Sequence, residues 1–154
     1  MSKQNYSSKE IYLDKLKNYC AYQERCQYEV IQKMKELKID YEWQDDILLR
    51  LISEKFVDEE RFARAIVRGK FRINNWGKNK IRNFLFQKNI VNNLIEMALV
   101  EINEEEYKEK ITFLIDKKRA ELANLDDHIQ YMKLTNYMLQ KGYEANYIQD
   151  SLER

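Results

Sequence analysis

Nine basic side chains and no acidic one occupy residues 61–95, and side chains of this kind bind anions. Guanidinium and ammonium groups contact phosphates and release counterions, which gives affinity with little sequence preference. Because the whole chain has a net charge of +1, the remainder carries an excess of acid. The segment therefore predicts one anion-facing surface on a protein otherwise repelled by polyanions. Its basic residues are Arg61, Arg64, Arg68, Lys70, Arg72, Lys78, Lys80, Arg82 and Lys88.

The spacing of the arginines predicts a stripe along one side of a helix. Arg61, Arg64, Arg68 and Arg72 follow i, i+3, i+7 and i+11, and lysines and Arg82 on the next helix extend the stripe. The alternative is a solvated helix face, which is the usual fate of a run of charges. The nature of the acceptor, whether DNA phosphate or an acidic protein surface, stays open at this point.

Six further residues are expected to support this surface. Asp58 is placed to cap the helix that carries the arginines. Trp76 lies beside Gly77 in a break between helices, where it either closes the core or stacks on a base or partner side chain. The remaining three, which we expect to face the core, are Phe62, Ile81 and Leu85.

No pattern in the sequence supports catalysis or metal binding. Cys20 and Cys26 are six residues apart, which fits neither C-x-x-C nor metal-ligand spacing and indicates reduced thiols. His128 is the only histidine, and no P-loop or nucleophile elbow is present. We therefore expect a protein that is not an enzyme and uses no cofactor and no metal.

The composition predicts an all-α fold. The chain of 154 residues contains no proline and three glycines, too few for the turns of a sheet. Apolar periodicity and capping signals at Ser7–Glu10, Asp40 and Asn103 predict nine helices. No stretch is apolar enough to span a membrane and no signal peptide is evident, so a cytoplasmic protein is expected. The predicted helices cover residues 8–22, 25–38, 41–54, 59–73, 78–88, 92–101, 104–120, 126–141 and 144–153.

An internal repeat organises these helices in threes. With Met34, Leu85 and Met138 aligned, apolar residues match at four further offsets without a gap, and the copies lie 51 and 53 residues apart. The starts of the copies align less well, at Ile11, Phe62 and Tyr107. We expect one domain over residues 1–154, built as repeats 8–54, 58–101 and 103–154. Such units must pack on their neighbours to share a core, which predicts an elongated, curved helical array of right-handed type. The matching sets are Val30, Ile81, Leu134; Ile39, Ile90, Tyr143; Trp43, Leu94, Tyr147; and Leu48, Leu99, Leu152.

Two stretches resemble the signature of the RecX family, and the likeness extends over about residues 11–152. They read Phe56-Val57-Asp58-Glu59-Glu60-Arg61-Phe62-Ala63-Arg64 and Gly77-Lys78-Asn79-Lys80-Ile81-Arg82-Asn83-Phe84-Leu85. The end, Met138-Leu139-Gln140-Lys141-Gly142-Tyr143, resembles the last repeat of that family. The chain departs from the pattern where Lys38 and Asn89 replace the repeat glycine, where Lys55 or Phe56 replaces another, and where Glu59 replaces an aspartate.

The resemblance implies a regulator of the RecA recombinase. Members of the family are similar in fold and bind the RecA–DNA filament along its helical groove. They generally restrain strand exchange, ATP hydrolysis and co-protease activity, and they can bind single- and double-stranded DNA. The expected partner is therefore the RecA filament, with DNA as a weaker or indirect partner and the protein itself a monomer. The alternative is a general DNA-binding protein that acts through its basic middle repeat without RecA.

Overall fold

The computed structural model describes residues 8–153 and, within them, contains nine α-helices and no strand. Each helix begins and ends within two residues of its predicted position. The capping box predicted at Ser7–Glu10 begins outside the described residues. Asp40 stands at the N-cap position of its helix, but its side chain accepts no capping hydrogen bond. The helices are α1 (Ser8–Tyr22), α2 (Gln27–Glu36), α3 (Tyr41–Ser53), α4 (Glu59–Arg72), α5 (Lys78–Gln87), α6 (Asn92–Leu99), α7 (Glu104–Glu121), α8 (Asp127–Gln140) and α9 (Ala145–Leu152).

The predicted repeat is visible in the backbone hydrogen bonds. At the end of α2, α5 and α8 alike, an amide donates to the carbonyl five residues earlier over 3.1 Å, which closes a Schellman turn. The residue before each donor has a left-handed backbone, with φ of 57° at Lys38, 61° at Asn89 and 98° at Gly142. The all-α fold of three tandem three-helix repeats is therefore confirmed. The three equivalent bonds run from Ile39 to Met34, from Ile90 to Leu85 and from Tyr143 to Met138.

The aligned apolar positions fill the interior, with one exception. Met34, Leu85 and Met138 are all buried, with at most 1% of their surface exposed. Ile11, however, is 47% exposed, so its predicted equivalence to Phe62 and Tyr107 is wrong. The buried stripe of α1 runs instead through Leu13, Leu16 and Cys20 at i, i+3 and i+7, and Ile11 lies off that stripe.

The core is divided into two parts. Repeats two and three share one cluster of buried side chains, as the sequence predicts for neighbours. Repeat one has a cluster of its own, which Val57 closes from the following segment. Among the buried residues of α1–α3 and the loops that connect them, Cys26 alone belongs to the cluster shared by repeats two and three. Apolar burial therefore couples the second and third repeats more firmly than the first and second.

Polar contacts join the first repeat to the second, at what we call the first joint, and the second repeat to the third, at the second joint. At the first joint, Glu24 accepts from Arg61, and the Glu59 carboxylate accepts from the amide of Gln27 over 3.1 Å. Burial raises the pKa of Glu59, and the hydrogen bond from Gln27 opposes that rise. At the second joint, the amide of Gly77 donates to the carbonyl of Lys141 over 2.7 Å.

Candidate anion-binding surface

Helix α4 presents the arginine stripe because its opposite face is buried. The Asp58 carboxylate accepts from the amide of Arg61 over 3.0 Å, so the predicted N-cap is present. Phe62, Val67 and Phe71 are at most 2% exposed and anchor the helix in the shared core. The arginines consequently project from the remaining surface of the helix.

Carboxylates from other parts of the chain meet each arginine of the stripe. Glu24 pairs with Arg61 at 2.7 Å, and Glu101 pairs with both Arg64 and Arg68, the latter at 3.7 Å. The pairing continues on α7, where Glu106 lies 3.7 Å from Arg72. The arginines of the stripe, which have no acidic residue in their own segment, are thus paired with acids folded against it. These pairs are mostly half-exposed, so each contributes little to stability, but together they reduce the positive potential of the stripe.

The basic residues of α5 and of its C-cap, Lys88, are divided between ion pairs and aromatic rings. Arg82 donates to both carboxylate oxygens of Glu96, over 2.7 and 3.1 Å, and this hydrogen bonding lowers the pKa of Glu96. Lys88 pairs with Glu29 of the first repeat at 3.2 Å. Lys78 instead places its ammonium 4.6 Å from the ring centroid of Tyr107. Ile81 and Leu85 are fully buried beneath them, as expected.

Trp76 is half-buried and serves as a platform for two lysines. Its ring packs edge-on against Phe84 with centroids 5.8 Å apart, which attaches it to the shared core. The ammonium groups of Lys70 and Lys80 lie 4.7 and 4.6 Å from its ring centroid. Cation–π attraction therefore holds two cations on one indole ring.

Three lysines of the third repeat that are not among the predicted site residues lie near this platform or near one another. Lys110 donates to the side-chain oxygen of Asn75, next to Trp76, over 2.7 Å. Lys117 follows two helical turns later on α7. Lys141 has a lowered pKa because it is partly buried and because the charges of Lys80 and Lys117 act on it. We call Lys70, Lys80, Lys110, Lys117 and Lys141 the lysine cluster.

The lysine cluster differs from the arginine stripe in having no carboxylate partners in the part of the chain that the structure describes. Among residues 8–153, ion pairs of 4.0 Å or less involve all four arginines of the stripe and none of these five lysines. Three of the five, Lys70, Lys110 and Lys141, are nevertheless half-buried. The uncompensated positive charge of the middle of the molecule therefore lies at the second joint. The sequence gives no signal for it, because Lys110 and Lys117 each have an acidic residue four positions away, Glu106 and Glu121, which predicts intrahelical pairing instead.

Buried tyrosines hold this joint together. The Tyr107 hydroxyl donates to Glu144 over 2.5 Å and accepts from the amide of Lys78 over 3.0 Å. Burial raises the pKa of Tyr107, and its bond to Glu144 raises it further. Tyr143 donates its hydroxyl to the carbonyl of Asn75 over 2.9 Å. The bonds to Lys78 and Asn75 join the second and third repeats, and the bond to Glu144 fixes Tyr107 within the third. The two halves of the lysine cluster are therefore held at a defined separation.

Neither a metal site nor a membrane span is found in residues 8–153. In that part of the chain no three His, Cys, Asp or Glu side chains are grouped so as to hold a metal ion. The helices described there are all too short or too polar to cross a bilayer.

Comparison with known proteins identifies the family. Residues 58–99 match the second three-helix domain of RecX, and residues 104–152 match the third. Together these two domains cover more than half of the chain. The chain belongs to the RecX family.

Several curated RecX proteins are similar to this chain. The regulatory protein RecX of Oceanobacillus iheyensis is 28% identical over 131 residues, which is 85% of this chain and 48% of that protein. RecX of Finegoldia magna is 27% identical over 128 residues, or 82% of this chain and 62% of that protein. The chain thus spans about half the length of most curated RecX relatives that it matches.

Solved RecX structures share the fold. The crystal structure of RecX from Lactobacillus salivarius superimposes with a TM-score of 0.84 at 23% identity, covering 94% of each chain. A second crystal structure, of a regulatory protein RecX, gives a TM-score of 0.84 at 22% identity and covers all of this chain and 81% of the other.

Proposed function

We propose that this RecX-family chain is a non-enzymatic regulator that binds the RecA–DNA filament and mostly inhibits its recombinase, ATPase and co-protease activities. The observation that carries the proposal is the match of two consecutive RecX domains on a chain whose curated relatives are named regulatory proteins. Inhibition of this kind needs no chemistry, because a bound protein either occludes the filament groove or favours one state of the filament.

The proposed contact surface is the basic middle repeat together with the adjoining face of the third. It comprises the arginine stripe, the basic residues of α5 and the unpaired lysines at the second joint. The protein would act as a cytoplasmic monomer whose array of repeats bridges recombinase subunits and DNA. Arginines paired with exposed carboxylates can exchange those partners for acidic groups of a filament at little cost, since each such pair is weak.

The test is the single-stranded-DNA-dependent ATPase rate of the RecA from the same organism, titrated with this protein. We expect the rate to fall at well below one molecule per RecA monomer. The double substitution Arg68→Glu/Arg72→Glu should weaken this effect, whereas Lys15→Glu/Lys35→Glu, with the same change of charge in the first repeat, should not. An unchanged ATPase rate with folded wild-type protein rejects the proposal.

The second candidate is a general DNA-binding protein that acts independently of RecA. The lysine cluster favours it, because unpaired ammonium groups supply salt-dependent affinity for phosphate without any recombinase. Naked-DNA binding near physiological salt, with no effect on RecA, would select this candidate. Inhibition of RecA at concentrations where binding to naked DNA is negligible would reject it.

A further inference from the structure

The lysine cluster brings several ammonium groups together and partly buries three of them without a carboxylate neighbour among the described residues. Its ammonium groups come from both sides of the second joint, with Lys70 and Lys80 on the second repeat and three lysines on the third. Half-buried cations usually have a carboxylate neighbour, because partial desolvation without a partner is unfavourable. Here the ammonium groups face aromatic rings, an amide oxygen and one another. An anion is the missing partner.

The contacts within the cluster leave the lysines able to receive an anion. A cation–π contact to Trp76 orients an ammonium group without using its N–H groups in hydrogen bonds to a strong acceptor. The N–H donors of the lysine therefore remain available to an anion. Lys141 likewise lies 5.6 Å from the ring centroid of Tyr137. An entering phosphate thus displaces no carboxylate, whereas an anion that binds the arginine stripe must displace Glu24, Glu101 or Glu106.

We propose that the lysine cluster is the principal contact site for the phosphodiester backbone of a nucleic acid, a proposal that rests on the DNA-binding component of the proposed function. A phosphodiester chain carries negative charge at short, regular intervals without interspersed cations. That pattern suits five ammonium groups spread across two repeats. The arginine stripe, neutralised by its own carboxylates, plays a lesser part in contact with naked nucleic acid.

Trp76 supplies a direct readout of occupancy. The chain contains two tryptophans, so in a Trp43→Phe variant the emission comes from Trp76 alone. A phosphate that draws Lys70 and Lys80 away from the indole changes its emission. The probes are oligo(dT), a duplex of equal length and poly-glutamate, each added to the full chain. Oligo(dT) and duplex distinguish the two forms of nucleic acid, and poly-glutamate tests an acidic protein as the ligand.

Affinity is measured in parallel by the anisotropy of fluorescein-labelled oligo(dT) and duplex. The variant Lys80→Gln/Lys141→Gln removes two cluster charges, and Lys15→Gln/Lys133→Gln removes two exposed lysines elsewhere. We expect the cluster variant to bind at least about tenfold more weakly at low salt and to lose about 1.4 from the slope of log K against log salt, the value for two phosphate contacts on a single strand. The control variant should keep both values close to wild type.

Several results would overturn the proposal. These are an equal loss of affinity in both double variants, an unchanged Trp76 emission on binding, no binding of oligo(dT) or duplex by wild-type protein, or a response to poly-glutamate alone. Circular dichroism of each variant establishes that helical content is retained. The RecA ATPase titration is read separately. If one of these results rules out the lysine contact while the wild-type protein still inhibits RecA, the proposed regulatory function stands.

Discussion

Gly77 and Gly142 lie backbone against backbone at the second joint. A Cβ atom on Gly77 would lie less than 3.0 Å from the carbonyl group of Gly142, and a Cβ atom on Gly142 would meet Lys80 equally closely. The amide of Asn79 donates to the carbonyl of Gly142 over 2.8 Å. One glycine begins α5 and the other ends α8, so this approach brings the lysines of both repeats onto one surface.

Substitution of either glycine is expected to destabilise the protein. Gly142→Ala places a side chain at a φ of +98° and into Lys80, and Gly77→Ala forces the two backbones apart. Each should lower the free energy of unfolding by about 2 kcal/mol or more. Gly69→Ala is the matched control, because a Cβ there meets nothing within 4 Å and α4 gains a better helix former worth about 0.5–1 kcal/mol. Urea denaturation followed by circular dichroism measures all three, and a Gly77→Ala variant as stable as wild type would contradict the close approach.

Removal of the carboxylates that pair with the arginine stripe should strengthen binding to naked nucleic acid. Glu101→Gln/Glu106→Gln removes the carboxylates that pair with Arg64, Arg68 and Arg72. We expect affinity for oligo(dT) to rise several-fold at low salt, with stability changed by no more than about 1 kcal/mol, since exposed ion pairs contribute little.

The control for this gain is Glu36→Gln/Glu121→Gln. It removes the same charge from carboxylates that pair with lysines of their own neighbourhood, Lys33 and Lys118. Fluorescence anisotropy at several salt concentrations compares the two variants. An equal gain in both would show that net charge alone, and not release of the stripe, governs the affinity.

Two lysines occupy backbone positions that favour glycine. Lys38 and Lys55 have φ of 57° and 65°, and both end helices with the turn that is usually closed by glycine. Lys38→Gly and Lys55→Gly should each raise the free energy of unfolding by about 0.5–1 kcal/mol, because the left-handed conformation costs a side-chain-bearing residue about that much or more. Lys35→Gly, inside α2, should lower it by a similar amount. Thermal melting shows whether each variant is more or less stable than wild type. A loss of stability in Lys38→Gly would contradict the left-handed backbone conformation of Lys38.

The thiols are expected to be inert in the folded protein. Burial raises the pKa of both Cys20 and Cys26 to about 11, so at pH 8 only about one thiol in a thousand is ionised. Iodoacetamide should therefore label both only slowly until denaturant is added, as measured by mass spectrometry.

Cys26 also reports on the first joint, since its thiol faces the carbonyl of Lys88. Arg61→Gln removes the ion pair to Glu24 across the first joint and should speed labelling of Cys26. Labelling of Cys20, inside the first repeat, should not become faster, because the charge of Arg61 lowers the pKa of that thiol and its loss leaves the thiol less ionised. Arg50→Gln breaks an ion pair within the first repeat and is the control. Equal acceleration at both thiols would indicate general unfolding and contradict an independent joint.

Local sequence signals predicted the helices and their repeat, because helix ends and apolar periodicity depend on neighbours a few residues apart. Asp58 was recognised as a cap from its place before α4. Ile11 was misassigned because repeat alignment alone does not tell which of several apolar residues in α1 faces inward. Lys110 and Lys117 were overlooked because they stand in an acidic stretch of sequence.

The sequence by itself thus determined the all-α fold, the repeat and the concentration of basic residues in the middle of the chain. Only the tertiary structure decided which of those charges remain uncompensated. Charge compensation depends on distance in space, and Glu24 and Glu101 reach the stripe from 37 residues away in the chain, in opposite directions from Arg61 and Arg64. The same folding brings Lys141 beside Lys80, where no local pattern places it, because the backbones of two glycines pack together.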